Sequence, residues 1–184
     1  MSIVGATMLF ASTSARAQTC VIEYIGTELL GNAKFCASSE LKPQGVGSYG
    51  PENLGGRTSE TYSGAWCEGA KGNGIGQWVS VNIYVPVKTL WVENGYQKSN
   101  KTFTRNNRVR RAIIETASSG SFEVTLKDAM GRQHIYLPNW EKSGKVKLTI
   151  LSVYSGSHYK DTCISLMWPD AEELRELEFQ RMND

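Results

Sequence analysis

Between Gln77 and Trp168 the apolar residues fall at alternate positions or in short runs, which is the period of strands rather than helices. Phe122, Val124 and Leu126 alternate with Glu123, Thr125 and Lys127, and Val146, Leu148 and Ile150 alternate with Lys145, Lys147 and Thr149. Each set predicts a strand with one buried face. Val79, Val81, Ile83 and Val85 form a third face that Pro86 interrupts, and Leu90 and Val92 resume beyond it. Ala112-Ile113-Ile114 and Ile135-Tyr136-Leu137 add two candidates, while Ser118-Ser119-Gly120 and Asp128-Ala129-Met130-Gly131 sit where hairpins should turn. Short strands at this spacing predict an all-β sandwich or barrel. No segment of the stretch carries a helical stripe.

Two connections are longer than hairpins need. Residues 93–108 and 155–162 are rich in Asn, Ser, Lys, Arg and Tyr, and long loops in a compact β domain tend to carry function. The tail differs: Asp170 and Glu173 have capping-box spacing, and Leu174, Leu177 and Phe179 line one face, predicting a short acidic helix after Pro169. At the other end, Ile3–Ala11 has the length of a signal-peptide core, and Ala15-Arg16-Ala17 before Gln18 has small-x-small spacing. The run is too short to span a bilayer. No Lys or Arg precedes it, which leaves room for a start upstream of Met1, and a buried N-terminal element is the alternative. The expected organisation is a signal peptide (1–17), a disulfide-pinned segment (18–39), a β domain (40–168) and an acidic helix (169–184).

Composition narrows the chemistry. The 184 residues hold 18 Gly against 5 Pro, which favours tight turns, and 40% hydrophobic residues, enough for a core. A formal charge of +2 argues against a nucleic-acid binder driven by bulk electrostatics, and 2 histidines leave most triad and metallohydrolase chemistry without its groups. Neither His134 nor His158 has a nucleophile motif beside it, so no catalytic residues are assigned and no cofactor is expected. Gly72-Asn-Gly-Ile-Gly76 precedes a strand rather than a helix, and a turn explains it better than a phosphate loop.

The 4 cysteines form no CxxC pair and no Cys/His cluster, so zinc is not expected. In an exported chain an even count predicts disulfides. Of the three possible pairings the favoured one is Cys20–Cys36 with Cys67–Cys163; a Cys36–Cys67 bridge would overturn it.

Lys98, Lys101, Arg105, Arg108, Arg110 and Arg111 fall in a stretch with no acidic residue, whereas the chain from Asp170 onward carries six acidic residues and two basic ones. Such a loop suits nucleic acid, anionic lipid or an acidic glycan, or is a solvated face balanced by the tail. Sugar sites combine aromatic faces with planar polar groups, because saccharides present C–H faces beside vicinal hydroxyls. Tyr96, Lys98, Asn106, Asn107 and Arg108, with Tyr154, Tyr159 and Asp161 from the second loop, have that chemistry. Trp66, Trp78, Trp91 and Trp168 sit in or beside strand patterns and are read as core.

The ordered series Tyr49-Gly-Pro-Glu-Asn-Leu54, Ala65-Trp-Cys-Glu-Gly69, Gly72–Gly76, Asn94-Gly-Tyr-Gln-Lys98, Asn106-Asn-Arg108, Leu126-Lys-Asp128, Val153-Tyr-Ser-Gly156 and Asp161-Thr-Cys-Ile-Ser165 resembles one family. It is the discoidin-like (coagulation factor V/VIII type C, galactose-binding-like) domain of the NAD glycohydrolase translocation-domain family. The resemblance covers roughly residues 40–168 and implies a jelly-roll β-sandwich with the look of a carbohydrate-binding module. The NAD-cleaving activity in that family belongs to a separate domain and is not carried over. Relatives often carry an Asp-Gly turn shortly after Asn-Leu and a Glu after the final Ile-Ser, acids that help hold calcium. Here Gly55-Gly56-Arg57 and Leu166 stand there, with Glu60 the one nearby substitute, so no tight metal site is expected.

These readings converge on an exported (periplasmic or secreted), non-catalytic module without a transmembrane span that recognises carbohydrate or a glycan-bearing surface. An envelope protein partner without sugar binding is the alternative. Tyr96 or Tyr159 would stack, Asn106, Asn107 and Arg108 would bind hydroxyls, Asp161 would accept, and Asn94, Lys98 and Tyr154 would complete the surface. The competing reading fixes Asn94-Gly95 and Asn106-Asn107 as turns and Asp161 as a loop staple.

Overall fold

The computed structural model describes residues 18–24, 31–45, 47–56, 64–170 and 180. The expected signal peptide, Arg57, Glu60 and the stripe of the expected C-terminal helix lie outside the described residues.

Among the described residues the strands follow as β1 (Thr19–Tyr24), β2 (Asn32–Ala37), β3 (Leu41–Gln44), β4 (Gly47–Tyr49), β5 (Trp66–Cys67) and β6 (Trp78–Ile83). Then come β7 (Val87–Asn94), β8 (Asn107–Thr116), β9 (Gly120–Thr125), β10 (Arg132–Glu141), β11 (Gly144–Tyr154) and β12 (Thr162–Asp170). A 3-10 turn spans Pro51–Gly55, and helix α1 spans Asn100–Arg105.

The strands run β1-β2-β6-β11-β8 and then β12-β7-β10, with β9 added to β8 and β5 to β12; β3 and β4 form a separate ribbon. All the neighbours on the path are antiparallel except at the join, where β8 and β12 pair in parallel only at Asn107–Thr162 and Arg108–Cys163. At that join the strands turn over on themselves, giving a jelly-roll sandwich around one core. Val79, Val81, Val146, Leu148, Ile150 and Ile114 meet Leu90, Val92, Leu137, Ile164 and Met167 there, all buried. Full burial of each such side chain contributes about 1.5–3 kcal/mol. The candidate run Ile135-Tyr136-Leu137 lies in β10 and alternates there, with Ile135 and Leu137 inward and His134 and Tyr136 outward.

The structure moves two boundaries. Among the described residues of the pinned segment, β2 pairs with β6 and places Ala33, Phe35 and Ala37 in the core, so the segment supplies two strands to the main sheet. Strand β12 continues through Pro169 and Asp170, paired with Leu90 and Thr89, rather than ending at Trp168. Both disulfides form as favoured, Cys20–Cys36 and Cys67–Cys163, each linking residues directly opposite in paired strands. Trp66 is fully buried and donates its indole N–H to Ser39 O at 2.8 Å, whereas Trp78, Trp91 and Trp168 are half-buried.

Candidate functional site

The two long connections meet at one pole of the sandwich. The first is not a bare loop, as the missing helical stripe suggested, but contains α1. Ser99 caps it by accepting from Thr102 N at 3.1 Å, and the Thr102 hydroxyl accepts from Ser99 N at 2.9 Å. The second connection docks on the C-terminal end of this helix: Ser157 N donates to Thr104 O, and His158 N and Tyr159 N both donate to Arg105 O. Gly156 crosses so close beneath that a Cβ there would lie 2.4 Å from Arg105 O and 2.5 Å from Asn106 C.

Four of the residues expected to face a ligand are instead built into the scaffold. Asn94 is fully buried and pairs with Val109 as a strand would, donating Nδ2 to Val109 O (2.7 Å) and accepting Val109 N at Oδ1 (2.8 Å). Asn107, 2% exposed, donates to Lys160 O (2.6 Å) and accepts from Gly156 N (2.7 Å), stitching the two connections together. Asn106 donates to Thr102 O at 2.8 Å and closes α1. Arg108, 7% exposed, holds the Asp128 carboxylate through Nε and Nη2 at 2.8 Å each, donates Nη1 to Asn106 O, and lies over the Phe103 ring. Gly95 must be glycine here: its φ is +81°, and a Cβ would meet Arg108 Cγ at 2.5 Å. For Asn106, Asn107 and Arg108 this geometry favours the scaffold reading over the hydroxyl-binding one. A buried amide or guanidinium has to be satisfied, and here the satisfying partners are protein.

The remaining five divide by exposure. Tyr96 is half-buried against the Cys67–Cys163 disulfide, edge-on to Tyr49 at 6.1 Å. Tyr154 donates its hydroxyl to Leu126 O at 3.1 Å. Lys98 is exposed, Asp161 half-buried, and Tyr159 43% exposed with its ring edge-on to His158. Arg105, read from the sequence only as one charge in a basic run, lies over the Tyr159 ring at 4.9 Å and reaches its hydroxyl at 3.3 Å.

Sequence reasoning also missed two glutamines that act as the asparagines do. Gln97 accepts from Gly131 N (2.8 Å) and donates to Asn94 O (3.0 Å), latching the β9–β10 turn to the pole. Gln133 bridges the N–H and C=O of Lys127 at 2.7 and 2.9 Å. Beside it a recess of about 700 Å³ is lined by Met130, Gln133, His134 and Tyr136 among others. Outward on the same sheet, Trp91 and His134 stack at 6.3 Å with Arg132 4.6 Å from the Trp91 ring. Period-two alternation in β10 is the signal that places His134 and Tyr136 on one face.

For calcium the described residues do not fit. Leu166 is 5% exposed and packs so tightly on Gly56 that a Cβ there would lie 2.4 Å from Leu166 Cδ1. Asn53 Oδ1 is a buried acceptor with no hydrogen-bond partner, yet one neutral oxygen beside an apolar side chain is far from six to eight oxygens. No three His, Cys, Asp or Glu side chains cluster among the described residues. Glu40 and Glu52 do converge over Gly50, and burial, with repulsion from Glu52, holds the Glu40 carboxyl above its ordinary range. No helix among the described residues is long and apolar enough to cross a membrane.

The fold and the ordered motifs place the chain in a known family of discoidin-like domains. Residues 24–168 match the NAD glycohydrolase translocation F5/8 type C domain, and the chain belongs to that family. No curated protein matches it. Among solved structures it is similar to CpGH89CBM32-5 from Clostridium perfringens, in complex with GalNAc-beta-1,3-galactose: TM-score 0.52, 12% identity, 74% of this chain and 93% of that one. The family 32 carbohydrate-binding module of Streptococcus pneumoniae EndoD is similar over 74% of this chain and 94% of its own, with TM-score 0.51 and 14% identity. The arabinofuranosyltransferase AftD from Mycobacteria matches 85% of this chain at TM-score 0.53 and 16% identity, but the chain spans only 12% of that enzyme. At these identities the likeness is one of fold.

Proposed function

We propose that the chain is an exported, periplasmic or secreted, non-catalytic module that recognises carbohydrate or a glycan-bearing surface at the α1 pole. The observation that carries this reading is the convergence of the two connections. Buried amides fix their backbones, and Lys98, Arg105, Tyr159 and Asp161 are left at the surface on a rigid frame. Rigid presentation of a few polar and aromatic groups limits the ordering cost of binding. The family 32 modules of the same fold, one of them bound to a GalNAc-galactose disaccharide, support a sugar as the ligand class. Two disulfides support export, since such bonds persist in oxidising compartments.

In this reading Tyr159 and Arg105 form the central contact, Lys98 and Asp161 flank it, and Tyr96 and Tyr154 border it. A glycan array probed with the full chain and with Tyr159→Ala tests it. Binding to a subset of glycans, weakened about tenfold or more in the variant, is the expected result. That substitution leaves the backbone bond of Tyr159 N to Arg105 O in place.

A protein partner of the envelope is the second reading, favoured by the exposed Tyr136 (69%) and Met130 (40%) beside the recess on β10. Silence on every glycan, with a partner retained through that face, would replace the first reading with this one.

A further inference from the structure

We propose that the ligand of the α1 pole is an anionic glycan, one whose sugars bear carboxylate, sulfate or phosphate groups; the inference rests on the carbohydrate reading of the same pole. Neutral saccharides are held by planar amides and guanidinium groups aimed at vicinal hydroxyls, together with a bare aromatic face. At this pole most of those groups are already committed to the protein. The amides of Asn106 and Asn107 and the guanidinium of Arg108 are buried and bonded to protein, and the Tyr159 ring carries the Arg105 guanidinium over it at 4.9 Å.

What the pole turns outward is positive charge. Lys101 and Arg105 are four residues apart and share a face of α1, Lys98 immediately precedes the Ser99 cap, and Lys160 follows Tyr159. Among the described residues none of these four cations has a carboxylate within ion-pair distance. The Asp128 carboxylate at the same pole is neutralised by buried Arg108, which leaves Asp161 as the acid flanking the cluster. Like charges so gathered repel one another, and a ligand that brings the opposite charge relieves the repulsion while gaining charge-assisted hydrogen bonds. Arg105 is already oriented by Tyr159, so its planar fork loses little freedom in meeting a carboxylate or sulfate. Four cations suit a few acidic groups on a saccharide. A protein that holds duplex DNA through its backbone charge alone uses more of them, for example about 6–10 phosphate contacts.

An array of matched neutral and acidic glycans (sulfated, uronate-containing and sialylated) tests this, probed with the full chain and with Lys101→Ala/Arg105→Ala at 50 and 300 mM NaCl. The expected result is selective binding of acidic members, weakened about fivefold or more by the salt and about tenfold or more by the double variant, whose melting temperature falls by no more than a few degrees. Equal binding of neutral and acidic members would overturn the anionic ligand and leave the carbohydrate reading standing. Binding of none would overturn both. Duplex DNA bound as tightly as the acidic glycans at the same salt would overturn the inference in favour of unspecific polyanion attraction.

Discussion

Arg108 grips Asp128 through two parallel hydrogen bonds of 2.8 Å, one from Nε and one from Nη2, and in doing so ties the first residues of β8 to the turn between β9 and β10. The guanidinium is almost wholly buried, whereas the carboxylate keeps 37% of its side-chain surface in water. Removing the arginine thus leaves a solvated acid, but it also strips donors from Asn106 O and opens the space beside Gly95 and Phe103. Arg108→Ala is expected to lower stability by about 3 kcal/mol, with Arg108→Lys in between because an ammonium cannot make the fork. Urea denaturation of both variants measures this. An unchanged midpoint together with lost ligand binding would return Arg108 to the role of a direct contact.

The two disulfides close loops of very different length, with sequence separations of 16 and 96 residues. On the chain-entropy account the short bridge contributes about 3 kcal/mol and the long one about 4–5 kcal/mol. Cys67–Cys163 also anchors β5 to β12 beneath Tyr96, so its loss loosens the pole as well as the unfolded chain. Replacing each pair by serine and comparing guanidinium unfolding should show the larger loss for Cys67 and Cys163. Equal losses would put the stabilisation elsewhere than in loop length.

Glu40 gives a pH dependence with a definite sign. Its carboxyl titrates above the ordinary range, first through burial and then through Glu52. A folded-state pKa raised in this way means that the folded protein binds the proton more tightly than the unfolded chain does. Holding Glu40 charged therefore costs stability near neutral pH, and that cost disappears as pH falls through the raised value toward the ordinary one near 4.3. Glu40→Gln should melt higher than the parent at pH 7, and the gap should shrink by pH 4. Melting curves at the two pH values check this; a gap that widens in acid would reverse the assignment.

Calcium should do little. With Leu166 packed onto Gly56, the described residues do not assemble an oxygen cage. Micromolar Ca²⁺ is expected to leave the melting temperature unchanged within a degree or so, against the several degrees that occupancy at 100 times Kd would give. A rise of several degrees would show that residues near Glu60 complete a site.

Much of the frame was legible in the chain. The period-two faces of β6, β9 and β11 and the hairpin turns agree with the structure because each is a local pattern with one strong physical cause; the family motifs and the cysteine pairing agree as well, the pairing resting on the even count expected of an exported chain rather than on local spacing. The site was less legible. Asn94, Asn106, Asn107 and Arg108 have the same side-chain chemistry whether they face a sugar or a backbone, and composition cannot say which; only burial decides. The amide bridges Asn94–Val109 and Asn107–Lys160 join residues 15 and 53 positions apart, a range at which sequence spacing carries no signal. Helix α1 escaped the periodicity search because six residues cannot show a stripe. Its trace in the sequence is the Ser99-x-x-Thr102 cap.

Chemical-shift mapping on the isotopically labelled full chain, titrated with the strongest binder from the glycan array, most directly asks whether this pole receives the sugar. The account predicts that amide shifts concentrate at residues 98–105 and 157–161 while the buried amides of Asn94 and Asn107 move little. Shifts confined to the β10 face around His134 and Tyr136, with the α1 pole silent, would contradict it.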